Sequence, residues 1–197
     1  MGKQVECYFD FGSAYSALAY WQLPKVAAAC NAEIVWRPML LGGVFKATGN
    51  SSPADVAAKG RWSRIDLQRW AQRYAVKFVM TPHFPINTLV LMRGAVGVQM
   101  YGYDFARYAN AMFSAIWREQ RNLNDPAVVA AVLHEAGFDP EAFARMMNEQ
   151  TVKYELKRVT EAAVARGVFG APTFFVGEEM FWGQDRLDFV GEALEKT

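Results

Sequence analysis

Tyr8-Phe-Asp-Phe-Gly-Ser-Ala-Tyr-Ser16 decides how this chain folds. The segment Gln4 to Phe11 mixes β-branched and aromatic residues with polar ones and stops at Gly12, the pattern of a strand feeding a turn. Ser13 then stands where a helix N-cap belongs. Ala14 to Cys30, rich in Ala, Leu and aromatics, predicts a helix buried on almost every side and kinked or divided at Pro24. Glu33 to Arg37 is short and β-prone, and Pro38 ends it. Strand, helix and strand follow one another with a connection long enough for a parallel crossover.

Beyond this unit the pattern changes. From Pro53 to about Glu149 helix formers dominate, with helices expected over Pro53 to Tyr74, Thr88 to Met100, Asp104 to Arg121, Asp125 to Ala136 and Pro140 to Asn148. The Asn122 to Pro126 and Gly137 to Pro140 segments carry turn and cap chemistry. Thr151 to Arg166 sets Val152, Leu156, Val159 and Ala163 at helical spacing, and Gly167 closes that helix. Strand character then returns. Pro172 to Val176 and Met180 to Trp182 read as an antiparallel hairpin, and Asp185 as the cap of a last helix carrying Leu187, Val190 and Leu194. The order βαβ, helical insertion, αββα fits an α/β fold, a thioredoxin-like sheet built from residues 1–40 and 160–197 and interrupted by an all-helical insertion over 41–159.

Composition narrows the chemistry. The 197 residues are 52% hydrophobic and 21% charged, as one ordinary globular unit would be. Twenty-one Lys and Arg against 20 Asp and Glu leave a formal charge of +1, so no global field draws the protein to nucleic acid or anionic lipid. Cys7 and Cys30 are too few and too far apart for a cysteine-rich zinc site, a CxxC pair or a disulfide framework. His83 and His134 lie far apart with no third ligand in view, so no metal site is expected. Glu6 and Asp10 interrupt the apolar N-terminus, which reads as folded mature protein, and the longest uncharged stretches fall short of the roughly 20 residues of a membrane helix. A cytoplasmic protein with reduced thiols and no membrane contact is expected.

Three stretches carry chemistry. The first leaves the Ser13 hydroxyl at a helix N-terminus, where free N–H groups and the dipole favour an anion; Ser13 is either a cap alone or also a donor to a bound thiolate, whose pKa such a place lowers. The second, Val168-Phe-Gly-Ala-Pro-Thr173, puts Pro172 just before a strand. It reads either as an ordinary trans proline or as a cis one that offers the Ala171 backbone as a short edge for a peptide. In the third, Phe181-Trp-Gly-Gln-Asp-Arg186, Asp185 serves either as a cap alone or as a carboxylate that recognises an α-amino acid zwitterion.

Together with Gly49-Asn50, Asp66-Leu-Gln-Arg-Trp70 and Pro82-His-Phe-Pro-Ile-Asn-Thr88, these stretches give a chain that resembles, over essentially its whole length, the 2-hydroxychromene-2-carboxylate isomerases. With the kappa-class glutathione transferases these form a branch of the DsbA-like thioredoxin-fold group. The resemblance implies glutathione as cofactor. Ser13-Ala-Tyr-Ser16 occupies the slot of the oxidoreductases' CPxC, with Ala14 where the family usually has proline, a residue permitted rather than required there. It further implies that Ser13 bonds the glutathione sulfur, that Ala171 pairs with its cysteinyl backbone beside cis-Pro172, and that Trp182, Gly183, Gln184 and Asp185 hold its γ-glutamyl end. The helical insertion would cover the thiol and bind an aromatic pyruvate-type acid. Asn50, Lys59, His83 and Asn87 fall in matching or nearby segments, with Lys59 suited to a carboxylate and Asn50 or Asn87 to a carbonyl or water. Each of these four also reads as an ordinary exposed or capping residue.

The implied activity is the glutathione-dependent interconversion of 2-hydroxychromene-2-carboxylate and trans-o-hydroxybenzylidenepyruvate in naphthalene-type aromatic catabolism, by a homodimer. Two other readings stand beside it, a kappa-type transferase that conjugates electrophiles and a module that binds glutathione or peptide without turnover.

Overall fold

A computed structural model describes residues 2–197. The chain begins with β1 (Gln4–Phe9), α1 (Ala14–Ala29) and β2 (Glu33–Pro38). Helices α2 (Leu41–Thr48), α3 (Ala57–Tyr74), α4 (Leu89–Met100), α5 (Phe105–Trp117), α6 (Pro126–Glu135), α7 (Pro140–Asn148) and α8 (Gln150–Ala165) follow. The chain ends with β3 (Thr173–Val176), β4 (Glu179–Trp182) and α9 (Leu187–Glu195). The sheet runs β2-β1-β3-β4, with β1 parallel to β2 and antiparallel to β3, and β3 antiparallel to β4. The expected α/β architecture is therefore present, the two ends of the chain meeting in one sheet through the β1–β3 ladder, where Tyr8 faces Thr173 and Cys7 faces Phe174.

Alternation along the strands sorts the core. Val5, Cys7 and Phe9 of β1, with Phe174 and Val176 of β3, join the large cluster that α1, α9 and most of the helical insertion complete. Tyr8 and Phe175 point the other way, into a smaller cluster with Met39, Val44, Ala163 and Val168. Glu6, on that second face, accepts from Arg37 Nε at 2.7 Å and from Arg166 Nη1 at 2.7 Å. Helix α8 packs on β2, α2 and α4 at once, and the expected division of the chain at residues 159 and 160 falls inside it. Among the described residues no helix is long and apolar enough to cross a membrane.

Four local expectations change. Pro24 sits inside α1 without dividing it. The stretch between Pro38 and Pro53, unassigned from sequence, holds α2; Gly42 and Gly43 depress its helix propensity, and packing against α8 supplies what propensity lacks. The expected helix from Pro53 is a 3₁₀ turn at Pro53–Asp55 followed by α3. Asp185 does not cap the last helix: it lies inside a 3₁₀ turn, Gln184–Arg186, that runs into α9, and its carboxylate pairs with Arg186 Nη1 at 2.7 Å. The expected cap chemistry is in place at Asp125 and Asp139, and Asp104 caps α5 as well.

Burial works against the Glu6 charge, but the bonds from Arg166 and Arg37 outweigh it and hold the carboxyl below its usual value. A carboxyl depressed on folding adds stability above its unfolded pKa of about 4.3, and that contribution disappears as pH falls through the lower folded value. Glu6→Gln should therefore melt below the wild type at pH 7, by about 1 kcal/mol or less for so exposed a pair of partners. The gap should close on acidification below about pH 4 in a series of thermal melts.

Candidate active site

The chain between β1 and α1 is held from several sides. Trp117 Nε1 donates to the Phe11 carbonyl at 2.8 Å, Phe11 N–H points to Met92 Sδ at 3.5 Å, and Ser13 N–H donates to the Asp10 carbonyl at 3.1 Å. Ser13, with φ −90° and ψ 113°, is the extended N-cap of α1, and its Oγ accepts from Ser16 N–H at 3.1 Å. Ala14 thus serves as the first helical residue without a proline.

The Ser13 hydroxyl also donates, to the Ala171 carbonyl at 3.0 Å, across 158 residues of sequence. The Ala171–Pro172 peptide is cis, and Phe84–Pro85 is a second cis bond that the sequence reading did not anticipate. The third stretch joins the second through Gly183 N–H, which donates to the Pro172 carbonyl at 3.0 Å. The three stretches singled out from sequence are therefore one site. A serine hydroxyl carries a single donor proton, so Ser13 can serve an incoming anion only by turning that proton away from Ala171.

Around this junction Trp182, half exposed, packs its ring 4.9 Å from that of Phe169, tilted by 55°. A Cβ at Gly170 would lie 2.6 Å from Trp182 Nε1, which explains the glycine there. Gly183 has a φ of +102°, and a Cβ on it would collide with the Asp185 carboxylate. Gln184 is buried, and its carbonyl accepts from the Tyr74 hydroxyl at 2.7 Å. Asp185 lies within electrostatic range of Asp66, whose pKa rises through burial first and the Asp185 charge second. Tyr15 lies beside Ser63 and Asp66, its own pKa raised chiefly by burial. This corner of the site sets two carboxylates near each other, with Arg186 paired to Asp185 and Arg69 acting on Asp66.

The residues expected on the substrate side divide. Asn50 reaches the site's edge, donating from Nδ2 to the Phe169 carbonyl at 2.8 Å. Asn87 Oδ1 accepts from Leu89 N–H at 3.2 Å at the start of α4, a capping contact. His83 is exposed in the loop before α4, its carbonyl taken by Asn124 Nδ2 at 3.4 Å. Lys59 is exposed on the first turn of α3 and pairs with no carboxylate among the described residues. Neither cysteine stands at the α1 N-terminus: Cys7 is buried in β1, where burial pushes its thiol pKa up, and Cys30 is the C-cap of α1.

Sequence reasoning missed Asp10, Tyr74, Asp66 and Tyr15. Asp10 alone carried a signal, as a charge between two phenylalanines at the end of the first strand that has to find partners when buried. The others are brought in by α3 packing on α1, which no local pattern announces.

Tyr74→Phe should leave the buried Gln184 carbonyl without its donor and lower stability by about 1–2 kcal/mol in a denaturant titration, while Tyr154→Phe, on an exposed tyrosine, should not.

Comparison with known proteins bears on the same features. The profile of the family described as DSBA-like thioredoxin domain matches residues 4–195. The 2-hydroxychromene-2-carboxylate isomerase of Pseudomonas putida is 35% identical over 194 residues, covering 96% of this chain and 93% of that protein. A solved structure of a 2-hydroxychromene-2-carboxylate isomerase superposes with a TM-score of 0.86 at 33% identity, covering 98% of this chain and 95% of that one. Glutathione S-transferase kappa 1 of Homo sapiens is 25% identical over 209 residues, covering 98% of this chain and 91% of that protein.

Proposed function

Because the chain belongs to the 2-hydroxychromene-2-carboxylate isomerase family, within the DSBA-like thioredoxin-domain group, we propose that it is a glutathione-dependent isomerase interconverting 2-hydroxychromene-2-carboxylate and trans-o-hydroxybenzylidenepyruvate. The observation that carries this reading is the Ser13 hydroxyl at the N-terminus of α1, 3.0 Å from the Ala171 carbonyl, in a place where this chain offers no thiol of its own.

The residues present suit a γ-glutamyl tripeptide. The α1 N-terminus and the Ser13 proton favour a thiolate. The Ala171 backbone beside Pro172 suits pairing with an extended peptide unit. Gly183, Gln184 and Asp185, with Trp182 beside them and the negative charge of Asp66 behind, form a corner suited to an α-amino acid zwitterion. When bound, glutathione would supply a sulfur nucleophile for reversible addition to the conjugated carbon; opening of the hemiketal C–O bond would leave a single bond free to rotate, and expulsion of the thiolate would restore the double bond, so nothing is consumed.

The protein's share of the catalysis is then electrostatic and geometric. Ser13 turns its proton from Ala171 to the sulfur and lowers the cost of holding a thiolate at neutral pH. Asn50, tied to the Phe169 carbonyl, is the insertion residue best held to orient an oxygen of the substrate, and Lys59, His83 and Asn87 complete the acceptor side in this reading. The substrate is an aromatic pyruvate-type acid from naphthalene-type catabolism, and the working form is a cytoplasmic homodimer, for which the exposed Trp62 and Ile65 on α3 offer apolar surface.

A spectrophotometric isomerisation assay with and without glutathione tests the reading. Activity should depend on the thiol, and Ser13→Ala should lower kcat/KM by about 10²-fold, the usual loss for one charge-stabilising donor. Full activity without glutathione would refute the cofactor role. Release of a stable conjugate with no isomerised product would identify a transferase, and glutathione binding without turnover a binding module.

A further inference from the structure

Asp10 is 2% exposed and belongs to none of the contacts that would touch glutathione or substrate, yet both of its carboxylate oxygens are engaged. Oδ1 accepts from Gly12 N–H at 2.8 Å, inside the turn that delivers Ser13 to the start of α1. Oδ2 accepts from Leu41 N–H at 2.8 Å, at the first residue of α2, the helix that leads to Asn50. The Thr88 side chain, at the N-cap of α4 and next to Asn87, lies beside the same carboxylate and favours its charged form. One buried group therefore joins the sulfur side of the site to two elements of the acceptor side.

We infer that Asp10 is a positioning residue, which sets the Ser13 end of the site in register with the α2 and α4 ends of the acceptor pocket. The inference rests on the isomerase reading above. Burial holds the carboxyl's pKa above its ordinary value, and Gly12, Leu41 and Thr88 oppose that shift without cancelling it. Asparagine shows why the carboxylate is needed. It has the same size but only one acceptor oxygen, so its NH₂ would have to face either the Gly12 or the Leu41 N–H, donor against donor, with no water to intervene. One of the two segments has to move, and a displacement of about 1 Å between reacting groups can cost on the order of 10²-fold in rate. The contacts expected to hold glutathione, at Ala171 and at Trp182 to Asp185, do not involve Asp10.

The test separates positioning from general stability. In Asp10→Asn, assayed well below its melting temperature, kcat should fall by about 10- to 100-fold. The calorimetric Kd for glutathione should stay within about 3-fold of the wild type, under 1 kcal/mol of binding energy. Amide exchange at Gly12 or Leu41 should quicken as the N–H loses its acceptor. An unchanged kcat, or losses of kcat and glutathione binding in equal proportion, would overturn the inference. Should Asp10→Asn not fold, Thr88→Val decides: a kcat reduced by about 3-fold at unchanged Kd, equivalent to less than 1 kcal/mol, supports the inference, and an unchanged kcat overturns it. A wild type that neither binds glutathione nor depends on it would instead remove the isomerase reading itself, whatever the variants do.

Discussion

The turn between β1 and α1 is the constraint on which the rest of the molecule depends. Four residues, Asp10 to Ser13, have to leave a strand, reverse and enter a helix with a hydroxyl at its N-terminus, all while largely buried. Backbone groups in such a place need partners, because water cannot supply them. The partners come from the helical insertion: Trp117 bonds the Phe11 carbonyl, and Leu41 and Thr88 meet the Asp10 carboxylate. The insertion is thus more than a lid laid over a finished sheet domain. It completes the turn that creates the site.

The chemistry follows from what this turn presents. Oxidoreductases of the same fold group carry a cysteine at the helix start, as implied by the CPxC pattern, and this chain carries Ser13 there with Ser16 one turn on. A hydroxyl at a helix N-terminus cannot be a thiolate, but it can stabilise one. The opposite corner brings the Asp66 and Asp185 carboxylates close enough to disturb each other, with Arg186 paired to Asp185. A ligand that is anionic at one end and carries an ammonium at the other suits this division, and a γ-glutamyl thiol has that form.

Much of this was legible in the chain. The strand–turn–helix signal from Gln4 to Ala14, the hairpin after Pro172 and the Asp-Pro caps at Asp125 and Asp139 rest on local chemistry, and each appears where residue types alone put it. Helix α2 was hidden because Gly42 and Gly43 make it a poor helix by propensity, and contact with α8 decides the matter instead. Asp185 misled because a carboxylate before a helix usually caps it, whereas here a 3₁₀ turn runs through it into α9. Asn87 turned out to cap the start of α4, while Asn50 bonds to Phe169 beside the site, a difference no spacing rule expresses.

By itself the sequence determined the α/β class, the place of a hydroxyl at a helix N-terminus and the absence of any thiol there, since these depend on residue type and on order along the chain. Only the tertiary structure decided that Ser13 meets Ala171 across 158 residues, that Gly183 closes on Pro172, and that Asp10 joins the turn to α2 and α4. Local propensities act over a few residues. Buried polar groups find their partners wherever packing brings them, and that is settled only once the whole core has closed.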